Sequence, residues 1–197
     1  MNIRIISTKI ASVIIVLGVL FFFQAAYEKT DLILMILKSL GVTFLTAGAF
    51  GRVWASAYIT GLKNKKLITG GPYSLIRNPL YFFSMLSFIG AGLVFGSISI
   101  ALIFAILFFI THWKAIITEE GRLRRIFGDE FTEYMKNVPR FFPRSFKIKH
   151  GDSLAIPSRS FMRAVIDCSL IMGTIIAAQI LEWAHLTSLL PTYFQLP

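Results

Sequence analysis

The chain has 197 residues, of which 55% are hydrophobic and only 15% are charged, and its mean hydropathy is +0.70. Soluble domains contain roughly 45–50% apolar and about 25% charged residues, so this composition argues against an ordinary soluble domain and predicts a membrane protein. The net charge of +10 is divided between basic stretches that apolar segments separate. This disfavours the continuous basic face that nucleic-acid binding needs, and we expect no nucleic-acid partner.

Cysteine and histidine usage argues against metal binding. The single cysteine, Cys168, cannot form a disulfide within the chain. His112, His150 and His185 lie far apart, and no cysteine or second histidine stands at ligand spacing from any of them. We therefore expect no protein-bound metal.

Long apolar runs approach the roughly 20 residues that cross the ~30 Å hydrocarbon layer of a bilayer. The first covers about residues 10–26; it lacks a clear small-residue cleavage site, so we expect a retained helix and not a signal peptide. The second covers about residues 32–51. The third and fourth share one tract from Leu80 to Trp113, which breaks at the uncharged turn Phe95-Gly96-Ser97.

The polar region after the fourth run has its own pattern. Apolar side chains recur there with a period near 3.6, which predicts an amphipathic helix; they are Leu123, Phe127, Phe131 and Tyr134. Prolines then end this helix, and arginines and phenylalanines around them predict a segment that docks on the membrane surface without a catalytic role; the segment is Val138-Pro139-Arg140-Phe141-Phe142-Pro143-Arg144. A fifth apolar run covers about residues 164–184.

These elements predict an all-α, polytopic transmembrane helix bundle of about five spans. A cytoplasmic amphipathic helix is expected between the fourth and fifth spans. We interpret residues 1–197 as one membrane domain, with residues 146–197 forming a basic connector and the fifth transmembrane helix.

The distribution of basic residues predicts the orientation. Residues 52–77 and 114–163 contain sixteen of the twenty Lys and Arg residues. Basic residues collect in cytoplasmic loops, so both stretches, and the N-terminus with Arg4 and Lys9, are expected inside. The uncharged turn at 95–97 and the tail at 186–197 are then outside, in agreement with every predicted span.

The first candidate site is the segment from Gly71 to Tyr81. Gly71-Pro72 predicts a turn, and Pro79 suits the first residue of the third span. Arg77 and Asn78 would then lie beside a helix N-terminus, where free backbone N–H groups and a guanidinium favour an anion. Alternatively, the segment only anchors the chain where it enters the membrane.

The second candidate is the pair Glu119-Glu120. Carboxylates beside the bilayer are unfavourable unless they are paired or functional. If the fourth helix continues, His112 and Glu119 fall on one face about two turns apart. The alternatives are that the glutamates pair with neighbouring arginines on a solvated helix and that His112 is an ordinary interfacial residue.

Together these pieces resemble the membrane methyltransferases that include isoprenylcysteine carboxyl methyltransferase and the phospholipid methyltransferases. The resemblance covers about residues 48–145, a methyltransferase-like cofactor-binding core. The matching residues are Gly71-Pro72-Tyr73, Arg77-Asn78-Pro79-Leu80-Tyr81, Glu119-Glu120 with Leu123 and Phe127-Gly128, and Tyr134 with Val138-Pro139.

This resemblance implies S-adenosyl-L-methionine as cofactor and a lipophilic acceptor that arrives through the bilayer, with membrane lipids around the chain. The implied cofactor-binding residues are Gly71, Pro72, Tyr73, Arg77, Asn78, Tyr81, Glu119 and Glu120. At position 78 this chain has Asn, as bacterial members do, where eukaryotic members have His. The resemblance to bacterial members implies a bacterial cytoplasmic membrane. Because Asn does not titrate near neutral pH, a binding role is favoured for Asn78. If the acceptor must lose a proton, Arg125 would stabilise its anion and His112 would take the proton.

Other functions remain open. Membrane sterol reductases share related motifs and use NADPH, although they are usually longer. A non-enzymatic small transporter or scaffold is the third hypothesis, although the chain shows no internal repeat. The acceptor group is also open among carboxylate, thiol, amine and hydroxyl.

Overall fold

Four α-helices account for most of the chain in the computed structural model, which describes residues 23–25, 32–62, 64–149, 158–190 and 194–196. They are α1 at Leu32–Ile59, α2 at Pro79–Val94, α3 at Ile98–Asn137 and α4 at Ser158–Leu186. A 3-10 helix covers Gly71–Ser74. Two short strands, β1 at Phe23–Ala25 and β2 at Phe194–Leu196, pair in parallel.

Three of these helices are long and apolar enough to cross a membrane: α1, α3 and the part of α4 from Ala164 to Leu186. The apolar helix α2 has 16 residues, somewhat fewer than the ~20 of an average span. The prediction of a helical membrane protein is confirmed. The predicted first span, about residues 10–26, lies outside the described residues except for β1, where the backbone hydrogen-bonds to β2 and is a strand instead of a helix.

The turn predicted at 95–97 is confirmed. Helix α2 ends at Val94 and α3 begins at Ile98. Gly96 has φ 75°, a left-handed conformation that glycine adopts without a steric penalty. The Ser97 hydroxyl accepts a hydrogen bond from the backbone N–H of Ile100 at 3.2 Å and so caps the first turn of α3.

Helix boundaries differ from the sequence-based prediction at three places, one of which is α4, which begins at Ser158, before the start predicted near residue 164. Helix α1 continues to Ile59, beyond the end predicted near residue 51. The amphipathic segment at 123–134 is divided by a kink at Gly128, where the backbone is not helical (φ 52°, ψ −120°): residues 123–127 continue the apolar part of α3, and residues 129–134 follow the kink. Between Trp113 and Gly128 the sequence contains no proline that would end a helix, which is why the apolar and amphipathic parts join.

The chain divides into two compact units. Unit 1 comprises Met1–Thr46, Leu86–Thr111 and Met172–Pro197, and unit 2 comprises Ala47–Met85 and His112–Ile171. In unit 1, α1 and α2 approach closely at two glycines: a Cβ on Gly90 would lie 2.7 Å from the backbone N of Leu45, and one on Gly41 2.5 Å from that of Val94. Small residues permit such close backbone contact between membrane helices.

Unit 2 contains the core that supports the candidate site. Leu67, Phe131 and Tyr134 are buried together. The apolar side chains that pack against them are Leu123, Phe127, Met135 and Val138. The apolar face predicted from the 3.6-residue period therefore packs inside the protein. Phe141 is likewise buried, with its ring 5.8 Å from that of Phe82, whereas we expected it at the membrane interface; Phe142 is exposed.

Candidate functional site

The site begins at the turn formed by Gly71–Ser74 in unit 2. Gly71 has φ 58°, and a Cβ there would collide with the ring of Tyr58. Its backbone N–H donates to the carbonyl oxygen of Lys149 at 2.8 Å. The Ser74 hydroxyl donates to the Gly71 carbonyl and accepts from the N–H of Lys149 at 3.0 Å. The returning chain near residue 149 thus fixes the turn.

Asn78 connects this turn to α3. It directly precedes Pro79, the first residue of α2, and its side chain is buried. Its amide nitrogen donates to Oε1 of Glu120 at 2.8 Å and to the carbonyl oxygen of Arg140 at 3.2 Å. One amide therefore joins three segments that are far apart in sequence.

The carboxylate of Glu120 lies at the centre of the cluster. Glu120 is only 6% exposed. Nε and Nη2 of Arg140 donate to its Oε2 at 3.0 and 2.8 Å, and Nε of Arg77 lies 3.6 Å from its Oε1. We call Arg77, Asn78, Glu120 and Arg140 the Glu120 cluster. A buried carboxylate is tolerated when charged and polar partners surround it, as they do here.

The charges of the Glu120 cluster do not cancel. Two guanidinium groups face one carboxylate, so the cluster is net positive and favours an anionic group. Of the two arginines, Arg77 is the better placed to bind an anionic group, because its Nε is buried and lacks a hydrogen-bond partner among the described residues. Burial is the largest influence on the guanidinium and lowers the pKa of Arg77, while the charge of Glu120 opposes that change.

Two tyrosines border the cluster. The hydroxyl of Tyr134 donates to the backbone carbonyl of Tyr73 at 2.6 Å, which joins α3 to the turn. The hydroxyl of Tyr73 is buried and has no hydrogen-bond partner among the described residues. Burial raises the pKa of Tyr73, and the nearby Tyr134 and Glu119 raise it further, so this phenol stays neutral at physiological pH.

The remaining predicted site residues are more accessible. The side chain of Glu119 is 25% exposed, and its Oε1 accepts from Nη2 of Arg122 at 2.8 Å. The rings of Tyr81 and His112 lie 6.0 Å apart in an edge-to-face arrangement. Arg125 is exposed, five residues after the buried Glu120 and so on a different face of α3.

The structure thus brings together Arg77, Asn78 and Glu120 of the predicted residues. Sequence reasoning missed Arg140, to which we gave a role at the membrane surface. Its guanidinium also lies 5.8 Å from the centre of the Trp113 ring. The carbonyl of Pro139, the residue before Arg140, accepts from the N–H of Arg77 at 2.9 Å, a long-range contact to which no local sequence pattern pointed.

Similar proteins were found in the family comparison and among curated sequences. The model of the phospholipid methyltransferase family matches residues 13–130. The chain is 34% identical over 161 residues to the nickel-cobalt-cadmium resistance protein NccN of Alcaligenes xylosoxydans xylosoxydans, covering 82% of this chain and 75% of that protein. It is 33% identical over 172 residues to the cobalt-zinc-cadmium resistance protein CzcN of Cupriavidus metallidurans, covering 86% and 78%.

A shorter match concerns an enzyme. The chain is 31% identical over 81 residues to the protein-S-isoprenylcysteine O-methyltransferase of Schizosaccharomyces pombe, covering 41% of this chain and 34% of that protein. No solved structure gives a significant match. The family match includes Arg77, Asn78 and Glu120 and ends ten residues before Arg140. By the extent of that match, the chain belongs to the phospholipid methyltransferase family, and part of it is similar to an isoprenylcysteine methyltransferase.

Proposed function

We propose that the chain transfers a methyl group from S-adenosylmethionine to a lipophilic or membrane-partitioned acceptor. The observation that carries this proposal is the Glu120 cluster, where a buried carboxylate joins the Arg77–Asn78 corner to α3 and to Arg140. Membership of the phospholipid methyltransferase family supports the type of reaction.

The residues of the site fit the charges of this cofactor. S-adenosylmethionine has a carboxylate, an ammonium group and a sulfonium group. Arg77, with its buried Nε lacking a hydrogen-bond partner among the described residues, would hold the carboxylate. Glu119 is the more accessible of the paired glutamates and would hold the ammonium group. The aromatic faces of Tyr73 and Tyr81 would stabilise the sulfonium.

Glu120 is better suited to positioning than to direct contact. Both of its carboxylate oxygens already accept hydrogen bonds, from Asn78 and from Arg140. Its side chain is only 7% exposed. It would keep Arg77 oriented, and an ordered site lowers the reaction barrier by holding two reactants in place and excluding water.

When bound, the cofactor would supply an electrophilic methyl group that the acceptor's lone pair takes, leaving a neutral thioether. The protein would orient the acceptor. We propose that Arg125 stabilises an anionic acceptor and that His112, in ring contact with Tyr81, takes a proton from an acceptor that must lose one. The amide of Asn78 does not titrate near neutral pH, so we assign it a binding role and no role in proton transfer.

A transfer assay tests this function. Membranes containing the full chain are incubated with methyl-tritiated S-adenosylmethionine, and the organic phase is counted. We expect label in that phase for the wild type and for Glu133→Gln, a control in which an exposed glutamate loses its charge. We expect none for Glu120→Gln. Label transfer that is unchanged in Glu120→Gln would contradict the assigned site, and no transfer by the folded wild type to total lipids would contradict the acceptor class.

The acceptor can be identified by comparing lipids. A strain lacking the protein should accumulate a lipophilic species lighter by one methyl group, and the chain should restore the methylated species. Carboxylate, thiol, amine and hydroxyl acceptors each give a distinct fragmentation pattern by mass spectrometry.

We propose that the membrane arrangement has about five spans, with the N-terminus, the amphipathic part of α3 and the active site on the cytoplasmic side of a bacterial cytoplasmic membrane. The distribution of basic residues supports it. In a Cys168→Ser background, Ser188→Cys should react with an impermeant maleimide in intact cells, whereas Ser145→Cys should react only after the membrane is opened. Both serines are exposed. The reverse pattern would contradict the orientation.

The names of two relatives refer to resistance to cobalt, cadmium and other metals. We propose that any such resistance in this protein depends on its methyl-transfer site. The wild type and Glu133→Gln should then restore growth of a sensitive strain on cobalt, and Glu120→Gln should not. Equal growth with Glu120→Gln would separate resistance from methyl transfer.

A further inference from the structure

A charged pair that is not part of the Glu120 cluster lies in unit 1, between Lys38 and Glu182. Nζ of Lys38 lies 2.7 Å from both carboxylate oxygens of Glu182. Each side chain is 32% exposed. The pair stands in a cavity of about 440 Å³ between α1 and α4, which we call the Lys38–Glu182 groove.

The groove has a polar centre and apolar walls. Leu34 and Lys38 are one helical turn apart on α1, and Gln179, Glu182 and Leu186 follow at helical spacing on α4. Each helix therefore presents one mixed face to the groove. Met35 and Trp183 complete the apolar walls and are 60% and 59% exposed. Such a surface fits a molecule that has both charged and apolar groups.

The charged pair lies near the ends of its two helices. Lys38 is six residues into α1, about 9 Å along its axis at a rise of ~1.5 Å per residue. Glu182 is four residues from the end of α4, about 6 Å along that axis. Helix ends at this depth meet the lipid headgroups and the first carbons of the acyl chains. Ionisable residues within membrane helices commonly mark binding sites.

We propose that the Lys38–Glu182 groove binds the headgroup of a zwitterionic phospholipid that carries an amine. The pair has no net charge, so a ligand with one charge would occupy one partner and leave the other unpaired in a poorly hydrated place, which is costly. A zwitterion supplies a partner to each: its phosphate binds the ammonium of Lys38 and its amine binds the carboxylate of Glu182.

The other lining residues complete this arrangement. The hydroxyl of Ser39 and the amide of Gln179 line the same cavity and offer hydrogen bonds to phosphate oxygens and to an amine. Leu34, Met35, Trp183 and Leu186 lie against the first part of the acyl chains. The site binds its lipid without a chemical step, and it does not depend on the methyl-transfer function proposed for unit 2.

Native mass spectrometry of the full, detergent-purified chain tests the proposal. Phosphatidylethanolamine, phosphatidylglycerol and diacylglycerol with identical acyl chains are each added at equal concentration, and the bound lipids are counted. We expect retention of phosphatidylethanolamine about tenfold above phosphatidylglycerol, which lacks the amine, and higher still above diacylglycerol, which lacks the phosphate as well, because one additional charge-assisted hydrogen bond contributes roughly a factor of ten. Equal retention of phosphatidylethanolamine and phosphatidylglycerol by the wild type would overturn the proposal without any variant.

A neutral double variant locates the site. Lys38→Met with Glu182→Gln removes both charges together, so no charge remains unpaired and the fold is preserved. We expect it to bind phosphatidylethanolamine no better than diacylglycerol. The matched control is Lys136→Met with Glu133→Gln, which removes an exposed pair elsewhere and should leave retention unchanged. Undiminished preference in the Lys38–Glu182 variant would contradict the assignment.

Soluble phosphoethanolamine distinguishes a lipid from a free headgroup. It has the same two charges but no acyl chains, so at a concentration equal to that of the lipid it should not displace phosphatidylethanolamine. Complete displacement would show that the groove serves a soluble zwitterion and would overturn the assignment to a membrane lipid.

Discussion

The Glu120 cluster and the Lys38–Glu182 groove use similar charges in different surroundings. Glu120 is 6% exposed and is bound by an amide and a guanidinium, with a second guanidinium nearby. Glu182 and Lys38 are each 32% exposed and pair only with one another among the contacts that the structure gives them. The first carboxylate is enclosed by protein, while the second borders open space.

This difference separates a structural and positioning role from a binding role. A carboxylate whose oxygens are occupied joins parts of the chain, and its loss leaves the largely buried guanidinium of Arg77 and the partly exposed one of Arg140 without an anion. Each member of an accessible pair can exchange the other member for a group of a ligand at little cost in free energy. Charge alone, read from the sequence, does not distinguish the two cases, because burial and the number of partners decide them.

Removing the charge of Glu120 should have the largest effect. Glu120→Gln leaves Arg77 and Arg140 without their carboxylate, and we expect the free energy of unfolding to fall by about 3–5 kcal/mol. The measurement is an SDS titration in mixed micelles followed by circular dichroism. Glu133→Gln should unfold at the same SDS fraction as the wild type. A change no larger than that of the control would show that the cluster does not stabilise the fold.

Weakening the contact between Arg140 and Glu120 should have the next largest effect on the free energy of unfolding. Arg140→Lys keeps the charge but loses the two-nitrogen contact with Oε2 of Glu120, at an expected cost of about 1.5–3 kcal/mol. Because Arg140 lies beyond the family match, this variant tests a residue that only the structure assigns. Arg144→Lys, at an exposed position, is the control in the same titration. Equal unfolding curves would remove Arg140 from the cluster.

Tyr134→Phe should have a smaller effect on the same region. It deletes the hydrogen bond to the carbonyl of Tyr73 while keeping the ring in the core with Phe131, and we expect a loss of about 1 kcal/mol. Hydrogen exchange at residues 71–74 should increase, because this bond joins α3 to the turn. Unchanged exchange there would show that other contacts fix the turn.

The interaction energy between Lys38 and Glu182 should be the smallest of these effects. A double-mutant cycle with Lys38→Met and Glu182→Gln should give an interaction energy of about 0.6 kcal/mol, the mean for polar contacts between membrane helices. The cycle uses the same SDS titration in lipid-free micelles. An interaction energy as large as that lost in Glu120→Gln would contradict the distinction between the two regions.

Much of the architecture follows from sequence patterns. Pro79 starts α2 because its ring fixes φ, and Gly96 separates α2 from α3 because glycine adopts a positive φ without a steric penalty. The apolar period from Leu123 to Tyr134 identifies a helix face that packs in the core. What the pattern could not show is that Leu123 and Phe127 continue the apolar part of α3 and that the helix is broken only afterwards, at Gly128.

The site was predictable only in part. Arg77, Asn78 and Glu120 belong to motifs, so their proximity could be expected before the structure. Arg140 could not, because its contact with Glu120 depends on how the chain returns after α3, a long-range arrangement without a local signal. For the same reason Phe141 was expected in the lipid interface but is buried against Phe82. The membrane-surface interpretation used composition, whereas tertiary packing decided both positions.

The most direct test of the central claim is calorimetric titration of S-adenosylmethionine into the purified, folded protein. The wild type and Glu133→Gln should bind with the same Kd, and Glu120→Gln should bind at least about tenfold more weakly, a change of ~1.4 kcal/mol. Binding of equal strength by the folded Glu120→Gln variant, or no heat of binding with the wild type, would contradict the assignment of the Glu120 cluster to the cofactor.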